Sequence, residues 1–332
     1  MKKYFFLIYC ISISLVAILL LEIAVRYTWF KFDSFSYTKM KSNNWLGDSG
    51  LIQSSEHLDI IYELKPNLNT YFRLNQFITN SNGLRDKEYS ITKPENTYRV
   101  AVLGDSFTMA SGIDIEDSYH SILERRFNRG NNIYNYEFIN FGVGGYNLKQ
   151  YLSVLNKKAM EYEPDLVLIG LDPHNDHIIP DAKIFEEPYI VKRTKNPLYH
   201  IYIKDAASLA FANIQNKIFG QSVSISETII TQVQEKYIND VFSNFKEITN
   251  NTNSKLAIIN LTYLPNQDYS DKLKELALTN NLLYFDASQS FESINVNKLI
   301  LYPNDFHPNA FSNRIFAQQL YNFLIPILIN QE

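Results

Sequence analysis

Four short segments of the chain hold side chains suited to acyl transfer. They are Gly104-Asp105-Ser106-Phe107-Thr108, Asn140-Phe141-Gly142-Val143-Gly144-Gly145, Asp172-Pro173-His174-Asn175-Asp176-His177 and Asn304-Asp305-Phe306-His307-Pro308-Asn309. A serine hydroxyl is a weak nucleophile until a base within hydrogen-bond reach takes its proton. Histidine suits that task because its unperturbed pKa, about 6.5, lies near working pH. A carboxylate then fixes the imidazole tautomer and stabilises the imidazolium that forms. Backbone N–H groups at a glycine turn and an asparagine amide are suited to hold the oxyanion of a tetrahedral intermediate. Losing one such donor typically costs on the order of 10² to 10³ in rate. Taken singly, each piece has a plainer reading: Asp105, Ser106, Asn175 and Asp305 as helix caps, Gly144-Gly145 as a tight turn. The third segment also admits a rival chemistry, because Asp172, His174, Asp176 and His177 are metal-ligand types within six residues, as a metal hydrolase would use. Neighbouring loop residues rarely converge on one ion without ligands from elsewhere.

These segments need a scaffold that brings them together. Apolar runs of strand length occur at 98–103, 138–141, 166–169, 256–261 and 282–285. Helical patterns are expected at about 117–128, 147–162, 233–249, 270–280 and 309–328. In the last, Phe311, Ile315, Phe316, Leu320, Phe323, Leu324 and Ile327 recur at three- and four-residue steps, an apolar face for docking on a sheet. Short apolar strands alternating with helices predict a parallel sheet covered on both faces. In such a sheet ligands bind at the carboxyl ends of the strands, which is where the four segments fall. Independent caps have no reason to supply nucleophile, oxyanion donors and base in successive loops on one sheet edge. Residues 177–232 carry Pro180, Pro188 and Pro197 and read as an insertion between the third and fourth strands. Residues 32–95 read as polar and irregular, with Pro66, Asn82-Gly83 and Pro94 as turn signals.

From Tyr4 to Leu21 no residue is charged, and Lys2 and Lys3 precede the run while Glu22 and Arg26 follow it. Eighteen to twenty-two residues at about 1.5 Å each cover the roughly 30 Å hydrocarbon core of a bilayer. Tyr27, Trp29 and Phe30 would supply an interfacial belt. A cleaved signal peptide and a buried core helix are the competing readings. Bulky Leu19, Leu20 and Leu21, in place of small residues at a cleavage site, favour an uncleaved anchor. Lys2 and Lys3 weakly favour an amino terminus inside and a body outside the cytoplasm.

Composition narrows the classes further. The 332 residues are 45% hydrophobic and 20% charged, which excludes a disordered or charged scaffold. A net charge of −4 with no basic run argues against a nucleic-acid partner. The single cysteine, Cys10, excludes an intrachain disulfide and a cysteine zinc cluster.

The four blocks, in order across residues 98–328, resemble the signature blocks of the SGNH (GDSL) hydrolase superfamily. The segment Thr79-Asn80-Ser81-Asn82-Gly83-Leu84-Arg85-Asp86 and the Glu22–Arg26 end of the apolar run resemble its membrane-anchored bacterial branch. What the resemblance implies is an α/β fold, a three-layer α/β/α sandwich with a central five-stranded parallel sheet, flavodoxin-like and without metal or organic cofactor. It also implies Ser106 as nucleophile, His307 as base and Asp305 as its orienter. The Ser106 and Gly145 N–H groups and the Asn175 amide would form the oxyanion hole. Family members commonly place the acid three residues before the histidine, here Asn304; the Asp305-x-His307 spacing is similar to that of anchored members. His174 stands where a glycine often precedes Asn-Asp.

The expected organisation is an anchor at 1–31, an extracytoplasmic preamble at 32–95 and a catalytic domain at 96–332 with the insertion at about 177–232. The expected function is that of a membrane-tethered serine esterase cleaving O-acyl esters on an envelope glycan or lipid. A polysaccharide O-acetyltransferase using the same acyl-enzyme and a non-catalytic glycan-binding or assembly module are the alternatives.

Overall fold

The apolar start of the chain forms one helix, α1 (Lys2–Phe30), in the computed structural model, which describes residues 2–130, 133–172, 200–219, 230–263, 267–303 and 305–329. Apolar residues cover every side of its first twenty positions, so nothing distinguishes a core-facing stripe. The segment is the one helix among the described residues long and apolar enough to cross a membrane, with a mean hydropathy of 2.6 and no part of that window buried against the body.

After α1 come two short helices, α2 (Tyr37–Ser42) and α3 (Leu46–Ser49), then the antiparallel pairs β1 (Ile52–Ser54) with β2 (Tyr62–Leu64) and β3 (Asn69–Phe72) with β4 (Asn75–Ile78). The sequence expectation for this region was an irregular, polar one. Its strands are three or four residues long, too short for a period-two pattern to stand out. Their apolar side chains nonetheless enter the main core, where Leu51, Ile60, Tyr62, Leu64, Phe72 and Phe77 pack in one cluster with the sheet residues Ala101, Leu103 and Ile139.

The remainder alternates: β5 (Thr97–Gly104), α4 (Tyr119–Phe127), β6 (Asn135–Asn140), α5 (Leu148–Lys157), β7 (Leu166–Leu171), α6 (Tyr202–Phe219), α7 (Gln232–Asn251), β8 (Lys255–Asn260), α8 (Gln267–Thr279), β9 (Leu283–Asp286), the pair β10 (Ile300–Tyr302) and β11 (Asp305–Pro308), and α9 (Ala310–Leu328). Strands β5 to β9 form one parallel sheet in the order β6-β5-β7-β8-β9, which is the flavodoxin-like order. Side chains alternate across it. Ala101, Leu103, Val167 and Ile169 face α5, α7 and α8, whereas Val100, Val102, Leu166 and Leu168 face α4 and α9. These are the three layers and the five strands expected of an SGNH-type α/β/α sandwich.

The order reverses at β5, so β5 and β7 flank the switch point where a crevice opens beyond their carboxyl ends. Gly104-Asp105-Ser106 leaves β5 there. The helices that frame it start on side-chain caps: Asn147 and Gln150 form a capping box on α5, Thr231 and Gln234 another on α7, and Asn309 accepts from Ser312 N at the start of α9. Of the expected insertion at 177–232, the described part is α6 and the approach to α7.

Candidate active site

Ser106 sits in a turn that Asp105 shapes. The Asp105 carboxylate is fully buried, accepts from Phe107 N at 2.8 Å and lies 3.3 Å from Ser106 Oγ. The plainer reading of Asp105 as a helix cap does not hold, because residues 106–112 form turns and no helix starts there; the carboxylate instead closes a turn that aims the serine at a histidine. Ser106 Oγ is 2.9 Å from His307 Nε2, and His307 Nδ1 is 2.6 Å from Asp305 Oδ1. Asp305 and His307 lie on β11, where residues two apart share a face and the one between points away. Phe306 is accordingly 58% exposed while its neighbours turn inward, and the two-residue spacing of acid and base follows from the strand. Asn304, at the three-residue spacing, lies outside the described residues. The turn from β11 into α9 is pinned by Asn309, whose Nδ2 donates to the Lys298 and Ile300 carbonyls.

A residue that the sequence did not point to completes this arrangement. Arg73 reaches in from the β3–β4 hairpin, with Nη1 2.6 Å from Asp305 Oδ2 and 2.5 Å from His307 Nδ1. The hairpin is a two-residue turn with Phe72 paired to Asn75, and Arg73 and Leu74 both have positive φ, 47° and 70°. Such a turn favours Asn-Gly, and other L-residues in this conformation cost about 1–2 kcal/mol each. The strained tip puts a guanidinium on the outer oxygen of the carboxylate. Burial drives the Asp305 carboxyl upward, but the His307 hydrogen bond and the Arg73 charge outweigh it and hold the group at about 2. Burial also lowers the pKa of the Arg73 guanidinium, against the pull of Asp305. When Nδ1 carries the imidazole proton and donates it to Asp305 Oδ1, Nε2 is left free to accept from Ser106, and Arg73 Nη1, itself only a donor, makes its hydrogen bond to Asp305 Oδ2 and none to Nδ1.

The glycine loop after β6 lies against the serine. A methyl group on Gly142 would meet Met109 N at 2.6 Å, so that backbone approach needs glycine, while one on Gly144 would sit at ordinary contact distance, 3.5 Å, from Ser106 Cβ. Gly145 has φ +81°. Buried Asn140 shapes this loop by accepting from Gly142 N at 2.9 Å. The backbone N–H groups of Ser106 and Gly145 have no acceptor among the described residues. Tyr62 Oη donates to Gly144 O at 2.8 Å. Because the peptide is planar and trans, holding that carbonyl fixes the Gly145 N–H in the opposite direction. Tyr62→Phe should therefore lower turnover several-fold and stability by about 1 kcal/mol, with the Ser106–His307 pair unaltered; steady-state rates beside urea unfolding check it.

Arg85, in the segment that resembled the anchored branch, is fully buried. Its guanidinium donates to the carbonyls of Met109, Ala110, Ile113 and Gln76, so it fastens the loop following Ser106 to the β3–β4 hairpin. Its motif was visible in the sequence, whereas Tyr62 stood in a strand too short to register and Arg73 at the tip of a hairpin of two such strands. Asn175 lies outside the described residues, as do His174, Asp176 and His177 of the rival metal reading. Ser106, Gly145, Asp305 and His307 are brought together on one edge of the sheet.

No family model matches the chain, and no curated protein matches it. Among solved structures it is similar to TesA, at 15% identity over 69% of this chain and 99% of that one, with a TM-score of 0.45. It is also similar to the psychrotrophic esterase EstA from Pseudoalteromonas sp., at 14% identity over 69% and 98% with a TM-score of 0.43. A third likeness is to a catalytic mutant of Axe2, an acetylxylan esterase from Geobacillus stearothermophilus, at 13% identity over 72% and 97% with a TM-score of 0.44. At such distances the activity has to be argued from this chain's own residues.

Proposed function

We propose that the chain is a carboxylic ester hydrolase working through an acyl-enzyme on Ser106. The observation that supports this most is the unbroken path from Ser106 Oγ through His307 to Asp305, at 2.9 and 2.6 Å. His307 Nε2 takes the hydroxyl proton as Oγ attacks the ester carbonyl, and Asp305 stabilises the imidazolium across Nδ1. The Ser106 and Gly145 N–H groups, which have no acceptor among the described residues, receive the oxyanion, with the Asn175 amide as a third donor. His307 then protonates the departing alkoxide, and a water activated by the same nitrogen releases the acid. The substrate is an O-acyl ester on an envelope glycan or lipid. Residues 1–31 are the membrane tether, 32–95 the preamble and 96–332 the catalytic domain, placed outside the cytoplasm. Labelling with a fluorophosphonate probe tests the chemistry: the wild-type chain should be modified and Ser106→Ala should not. A folded wild type that stays unlabelled while a known serine esterase reacts sinks the reading.

A further inference from the structure

The apolar run ends at Leu21, but α1 continues to Phe30, and the body of the protein begins to grip it at Glu22. The Glu22 carboxylate accepts from the backbone N–H groups of Tyr202 and Ile203 at 3.1 and 2.9 Å, closing the amino end of α6. Arg26 donates to His200 O and lies over the Tyr202 ring. Phe30 stacks edge-on against Tyr302 at 4.9 Å, and Phe30, Met40, Leu74 and Tyr202 are buried in one cluster against which Tyr302 packs. Tyr302 pairs with Asp305, and Leu74 is the neighbour of Arg73 in the hairpin tip. The end of the apolar helix is therefore packed directly on the two elements that carry Asp305 and Arg73.

Heights follow from helix geometry. Leu21 to Phe30 rises about 13 Å. The headgroup layer occupies roughly 5–8 Å beyond the hydrocarbon core. The β10–β11 pair therefore stands within about 10 Å of the headgroups when the helix is upright, and closer when it tilts. Around the helix exit the chain folds back on itself: Phe32 and Phe35 pack on Tyr27 at 5.8 and 6.1 Å, and both are more than 60% exposed. Lys31 lies over the Tyr27 ring and Lys41 over that of Tyr37, which is 66% exposed. Exposed aromatics flanked by lysines suit the boundary between acyl chains and anionic headgroups. Trp45, 73% exposed and 5.9 Å from the Arg73 guanidinium, carries the same character to the site.

We propose that the Ser106 site is held against the bilayer surface and takes an ester carried on a membrane lipid, at headgroup height, in preference to a freely diffusing one. This rests on the esterase reading above. The rigid packing from Glu22 to Phe30 sets the working height, and the aromatic and lysine residues at the helix exit seat the body on the lipid. An ester confined to that layer meets Ser106 at a high effective concentration that a soluble ester lacks.

Two measurements on the full chain in liposomes containing anionic lipid test it. The first inserts about eighteen helix-forming residues between Leu21 and Glu22, five whole turns that lift the body by about 27 Å without rotating it. Hydrolysis of p-nitrophenyl acetate should be unchanged by the insert. Hydrolysis of a fluorogenic acetate ester coupled to a phosphatidylethanolamine headgroup should fall about tenfold or more. Equal loss of neither or both overturns the proposal, whereas a wild type inert toward both esters counts against the esterase reading itself. The second uses Trp29→Phe, which leaves Trp45 as the sole tryptophan. Lipids spin-labelled at the headgroup should quench its fluorescence in the wild-type spacing and lose that effect with the insert. Unquenched Trp45 overturns the proposal whatever the rates.

Discussion

Asp305→Asn is expected to lower kcat by about 10⁴ with little change in KM, measured on any ester the wild type turns over. The reason lies in what Arg73 demands. Its Nη1 is only a donor, so the side-chain oxygen of an asparagine at 305 turns to the Oδ2 position, where Arg73 waits at 2.6 Å. The amide nitrogen is then presented to His307 Nδ1 and donates to it. With Nδ1 accepting, the imidazole proton moves to Nε2, and the atom facing Ser106 becomes a donor where an acceptor is needed. Geometry is preserved while the base is disabled, so fluorophosphonate labelling slows in parallel with turnover. A variant that keeps more than a tenth of the wild-type kcat would remove Asp305 from the mechanism.

Arg73→Met should lower kcat/KM by roughly ten- to a hundredfold and change the response to acid. Methionine fills the volume but leaves Asp305 Oδ2 without its charge-assisted partner. The carboxylate is then held through His307 alone, and small displacements of a reacting pair carry penalties of this size. The pH effect has a definite sign. Asp305 in the folded chain titrates at about 2 against 3.8 for an ordinary aspartate, so it contributes about 2 kcal/mol to stability above pH 4, lost as pH falls through 2. Without the guanidinium the carboxyl's pKa rises toward the ordinary value, so that contribution shrinks and less of it remains to be lost in acid. Urea unfolding should find the variant less stable than the wild type at pH 7, with the gap narrowing as pH falls from 4 toward 2. Arg73→Lys should recover only part of the rate, since an ammonium replaces a planar fork with a point charge. Identical acid profiles for wild type and Arg73→Met would reduce Arg73 to a packing residue.

The sheet was legible because its signal is local. Runs such as 98–103 and 166–169 are apolar at every position, as buried parallel strands must be, and the helices between them carry both periodicity and caps. The chemistry-bearing loops after β5 and β6 were legible for the same reason: strand ends in a parallel sheet fall on one edge, so Ser106 and Gly145 were marked as neighbours by topology, whereas His307 arrives from the separate β10–β11 pair just before the last helix. Asp305 needed one more step, since the two-residue spacing makes sense only once 305–308 is a strand. Tyr62 and Arg73 were out of reach. Each acts some 80 or 230 residues away in sequence, Tyr62 from a three-residue strand and Arg73 from the turn between two four-residue ones, through a hydrogen bond whose partner nothing local announces. Arg85 is the intermediate case, a motif whose presence could be read but whose four carbonyl partners could not.

The hairpin tip at Arg73 and Leu74 also limits which residues can stand there. Asn-Gly at those two positions would relieve the left-handed strain, about 1–2 kcal/mol at each. It would at once remove the guanidinium from Asp305 and the buried leucine from the cluster around Phe30, and emptying a buried leucine site costs about 2–5 kcal/mol. The exchange therefore loses sturdiness as well as rate, so a lineage or library screened only by melting temperature should keep Arg-Leu at this turn.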